Sequence, residues 1–135
     1  MINALRFLLL QVRNPDDSML AAEVDSFARA LRVRREQIAV ADLLAGFPSQ
    51  GQLDACDIVL LGGSGEYSVA ADSPWRDTIL AGLAGMCEQG KATFASCWGF
   101  QAIARALGGR VIHDVERAEV GPLRVHLTDA ARGDP

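Results

Sequence analysis

The stretch TFASCWGFQAIARALGG, from Thr93 to Gly109, places one thiol between two different local patterns. A short apolar run, Ala92 to Ser96, leads into Cys97, and helix-like spacing begins at Trp98. A cysteine at such a corner has the layout of a nucleophile elbow, in which a sharp strand-to-helix turn exposes the attacking atom at the carboxyl end of the strand. Gly99 lets the turn close without a β-carbon clash. The thiol sits at a helix N-terminus, whose positive dipole end favours thiolate. The backbone N–H of Trp98 points towards the same space and is a candidate oxyanion donor. The competing reading is a cysteine that acts only as a small hydrophobe.

A second stretch, LLGGSGEYSV from Leu60 to Val69, runs from a buried strand into a glycine-rich loop. Such a loop permits close backbone approach, and open α/β folds bind ligands where their strands end. Dinucleotide binding would require G-x-G-x-x-G, and Gly63, Gly65 and Ser68 do not supply it. The alternatives are a second oxyanion donor, the Gly63 N–H, or an ordinary turn. Gly85, Gly90 and Lys91 imitate a phosphate-binding loop, but Ala92 stands where Ser or Thr would hold magnesium, and the loop follows a helix instead of a strand. Cys56 and Cys87 read as packing residues, as does Trp75. His113 and His126 lack zinc-ligand spacing, so no metal and no cofactor are expected.

These residues must be positioned by alternating elements. Leu5 to Val12 is a continuous apolar run, as in a strand covered on both faces. RNPDDS reads as a loop and helix start. Leu20, Val24, Phe27 and Leu31 then recur at helical spacing. Ile38 to Leu43 and Ile58 to Leu61 read as further strands. Ser73 and Pro74 read as N-cap and first residue of a helix continued by Ile79, Leu83 and Met86. Ala92 to Ser96 is a fourth strand and Trp98 to Leu107 a helix stopped by Gly108 and Gly109. Val111 to Ile112 and Leu123 to Leu127 are expected as additional strands. The pattern predicts an α/β fold, a mostly parallel sheet with helices on both faces, over a single domain of residues 1–135.

The chain has 135 residues, 50% hydrophobic and 22% charged, with a formal net charge of −4. That is a globular composition, and an acidic balance argues against a nucleic-acid surface. No apolar run is long enough to span a bilayer. Three cysteines at irregular spacing, without an export signal, suit free thiols in a reducing cytoplasm. The ending TDAARGDP offers nothing to cover the preceding strands, so a domain truncated at its C-terminus is expected, with self-association through the surface left open.

Ala95, Cys97, Gly99 and Gln101 together resemble the elbow of the class I glutamine amidotransferases, roughly G-x-C-x-G-x-Q. QAIARALGG and the loop Gly62 to Gly65 are similar to that family too, nearest in pattern to its stand-alone GMP-synthase-like members. The resemblance reaches from the first strand to about Leu127. It implies a flavodoxin-like fold and a Cys97 nucleophile that attacks the side-chain amide of L-glutamine. It also implies an oxyanion hole from Gly63 and Trp98, substrate contacts from Gln101 and Gly65, and ammonia passed to an acceptor or synthetase partner that the sequence does not identify. Two departures stand out. Ala95 replaces the first glycine, and the family's base, a His closely followed by Glu, matches neither His113 nor His126. The chain by itself is therefore expected to be inactive. Rival readings are a homoserine acyltransferase, whose elbow can also read C-W-G-x-Q, and a non-catalytic partner subunit. A chaperone or protease relative would carry His where Trp98 stands.

Overall fold

The computed structural model describes residues 4–119 and 121–133. Its centre is β1, Phe7–Gln11, buried along its whole length because the strand is covered on both faces. β1 pairs in parallel with β2, Ile38–Asp42, on one side and with β3, Ile58–Leu61, on the other. β3 in turn pairs in parallel with β4, Thr93–Ala95. The sheet order is β2-β1-β3-β4. This is the beginning of the doubly wound order found in flavodoxin-like folds, in which the chain leaves β1 and β3 in opposite directions and opens a crevice between their carboxyl ends.

Side-chain alternation along β1 divides the core. Phe7 and Leu9 face one layer, where they pack with Val24 and Ala28 of α1, Met19–Leu31. Leu8 and Leu10 face the other, which gathers Leu53 of α2, Gln50–Asp54, with Ile79, Leu83 and Met86 of α3, Arg76–Glu88, and Trp98 and Ala102 of α4, Trp98–Ala106. Helices therefore cover both faces, as the alternating pattern predicts.

Three expectations need correction. α2 lies between β2 and β3, where the pattern showed no helix; Ser49 and Gln52 cap it reciprocally, which makes so short a helix viable. The third helix begins at Arg76 and not at Pro74. Ser73 instead accepts the Arg76 N–H through its carbonyl at 3.2 Å, forming a preceding turn. Neither Val111–Ile112 nor Leu123–Leu127 forms a strand. Alternating apolar residues make a segment competent for a sheet but do not by themselves dock it against one. Here Leu123, Val125 and Leu127 remain exposed.

No helix among the described residues is long and apolar enough to cross a membrane.

Candidate functional site

Cys97 stands between β4 and α4 with φ 51° and ψ −120°. A non-glycine residue there stores strain of about 1–3 kcal/mol, which must be offset by the surrounding packing. Three hydrogen bonds impose the corner. The Gly99 N–H donates to Gly62 O at 2.9 Å and to Ser96 O at 3.0 Å, while the Ser96 N–H donates to Leu61 O at 3.0 Å. The first turn of α4 is thus tied to the end of β3, and the thiol between them is exposed. Ala95 has no positive φ, so the departure from glycine at that position costs no backbone strain.

Trp98 supplies both an anchor and a donor. Its indole is buried against Trp75, with ring centroids 6.2 Å apart, and Trp75 meets Tyr67 edge-on at 5.3 Å. The Trp98 Nε1–H has no acceptor among the described residues. Its backbone N–H opens α4, where the first N–H groups have no partner within the helix.

The glycine-rich loop comes to the sulfur as the sequence suggests. A β-carbon on Gly63 would lie 3.5 Å from Cys97 Sγ. The Gly63 N–H, however, is already engaged, donating to Glu23 Oε1 at 3.1 Å. Gly65 and Gln101 are exposed. Gln101 follows the elbow closely, its N–H donating to Cys97 O at 3.1 Å. His113 and His126 are exposed, and neither hydrogen-bonds Cys97.

Glu23 is the site residue that sequence reasoning missed. Its signal is its place on the apolar stripe of α1, three residues after Leu20 and one before Val24. A charge there requires a partner. Glu23 is 8% exposed. Oε2 accepts from Arg13 Nε at 2.9 Å and from Gln11 Nε2 at 3.0 Å, and Oε1 accepts from an Arg13 terminal nitrogen at 3.2 Å as well as from Gly63. Arg13 also donates to Asp17 at 2.9 Å. Its guanidinium is held more basic than usual, first by the Glu23 hydrogen bond and then by Asp17, against the effect of burial.

Beside this cluster lies a cleft of about 320 Å³ bordered by Arg13, Glu23, Phe27, Gly62, Gly63 and Ser96. It is bounded by α1 and by residues that follow β1, β3 and β4. Cys97 does not border it; Gly63 stands between the cleft and the sulfur. The loop after β1 is fastened to the glycine-rich loop by Asn14, which donates to Glu66 and accepts from the Tyr67 hydroxyl at 2.6 Å.

Among the described residues no cluster of His, Cys, Asp and Glu could hold a metal. Cys56 is buried, with its thiol donating to Leu53 O at 3.2 Å, and Cys87 packs half-buried against the core. No family profile, curated protein or solved structure matches the chain.

Proposed function

We propose that this chain carries the nucleophile half of a glutamine amidotransferase site. The observation that carries the reading is the strained Cys97 elbow set against Gly63. A nucleophile held off its preferred backbone conformation, exposed and followed by the Trp98 N–H at the start of α4, suits attack on a planar carbonyl. The Cys97 sulfur would bond to the side-chain carbonyl carbon of L-glutamine, and the π pair would move onto oxygen. The Trp98 N–H would stabilise that oxyanion, a contribution of about 3 kcal/mol for one good donor. Breaking the C–N bond with proton transfer to nitrogen releases ammonia. Water then cleaves the thioester to glutamate and restores the thiol. Gln101 and Gly65, both exposed, would meet the amino-acid end of the substrate. The ammonia would pass to an acceptor bound by this protein or by a synthetase partner. Three free thiols suit such a protein in a reducing cytoplasm.

A glutamine analogue with a diazoketone in place of the carboxamide tests the assignment without requiring turnover. It is expected to alkylate Cys97, with L-glutamine protecting and Cys97→Ala abolishing the label. Labelling that L-glutamine does not slow would defeat the proposal.

A further inference from the structure

We propose that Glu23 is a positioning residue for the oxyanion pocket, its carboxylate withholding the Gly63 N–H from the space beside Cys97. The inference rests on the amidotransferase reading and adds a control element to it.

Four donors converge on this one carboxylate: Gly63 N–H and an Arg13 terminal N–H on Oε1, Arg13 Nε–H and Gln11 Nε2–H on Oε2. Its acceptor capacity is filled. The backbone is shaped to admit it, since a β-carbon on Gly62 would lie only 2.0 Å from Glu23 Oε1. An N–H carries a single proton, and a bond to a carboxylate is stronger than one to a neutral acceptor. While that bond holds, an oxyanion at Cys97 finds the Trp98 N–H but lacks the second donor. Releasing Gly63 from Glu23 supplies that second donor.

Substitution of Glu23 by Gln separates this role from simple support. The side chain keeps its size, but an amide has one acceptor oxygen and can serve only one of the two donor pairs. Two readouts apply to the full chain. In the wild-type chain the Gly63 amide is expected to exchange with solvent at least about tenfold more slowly than that of Ser64, which has no acceptor among the described residues; Glu23→Gln should erase most of this protection. A glutamine analogue with an aldehyde in place of the carboxamide, which forms a hemithioacetal with Cys97, should bind the variant about 10- to 100-fold more tightly. Iodoacetamide alkylation of Cys97 forms no oxyanion and should keep its rate. Glu23→Ala should act in the same direction, and thermal melting identifies a variant that has lost its fold.

Gly63 protection equal to that of Ser64 in the wild-type chain overturns the proposal, and this measurement needs no variant. So does a parallel change in aldehyde binding and alkylation, which marks a structural effect. Aldehyde that binds neither protein while Gly63 protection falls as expected removes the amidotransferase reading itself, and with it the catalytic meaning of the Glu23 contact.

Discussion

A β-carbon on Gly99 would stand 2.4 Å from Cβ of Leu61, so the first turn of α4 rests directly on the last residue of β3. This contact fixes the separation of the two halves of the site, because Cys97 precedes Gly99 and Gly63 follows Leu61. Gly99→Ala is expected to push α4 away and cost about 1–3 kcal/mol or more, as overpacking does. Gly85→Ala, in α3 with open space at the β-carbon, should instead stabilise by up to about 1 kcal/mol. Urea unfolding of both variants decides. Equal effects would mean that the helix–strand approach is not tight.

The three thiols differ in access. Cys97 is exposed, Cys87 half-buried and Cys56 buried. Iodoacetamide labelling followed by mass spectrometry should therefore modify Cys97 first and Cys56 last. Gly99→Ala should blunt the contrast if it loosens the corner. Labelling of Cys56 or Cys87 ahead of Cys97 would contradict the placement of the elbow.

How much of this was legible depends on whether the signal is local. Phe7–Gln11 and Ile58–Leu61 announce themselves as apolar runs because both faces of the sheet are covered. The elbow is legible as well, since Cys97 and Gly99 sit between a strand pattern and a helix pattern. α2 escaped because five residues give too short a window for periodicity, although Ser49-x-x-Gln52 is a capping signal. Leu123, Val125 and Leu127 carry a strand's alternation but stay exposed, and alternation alone does not make a sheet. Glu23 was missed for the opposite reason. Its contacts with Gln11, Arg13 and Gly63 span three separate segments, and only its position on an apolar stripe hints at burial.

Asp17 gives a pH-dependent contribution of known sign. Its carboxylate accepts the Met19 N–H at 2.7 Å and pairs with Arg13, and these hold its pKa below the ordinary carboxylate value, the Met19 hydrogen bond foremost. A group with a depressed folded-state pKa stabilises the fold above its unfolded value, near 3.9, and the contribution is lost as pH falls through the folded value. Asp17→Asn should therefore lower stability at pH 7 and flatten the decline below about pH 4. Chemical denaturation at a series of pH values measures both; parallel curves for the two proteins would assign the acid sensitivity elsewhere.

Turnover of L-glutamine by residues 1–135 is expected to be very low, although Cys97 is well placed. The elbow positions the thiol and Trp98 offers one donor, but ammonia must leave with a proton and water must be activated for deacylation. His113 and His126 are exposed, and neither hydrogen-bonds Cys97. A triad enzyme deprived of one member loses several orders of magnitude in rate and keeps what the oxyanion hole and binding supply. Here Glu23 holds one of the two expected oxyanion donors, so even that remainder is reduced. Glutamate release should therefore stay near the Cys97→Ala background, and His113→Ala and His126→Ala should leave both glutamate release and Cys97 labelling unchanged. Robust turnover that needs Cys97 and disappears with either histidine would assign that residue as the base, and would require the segment carrying it to close over the elbow.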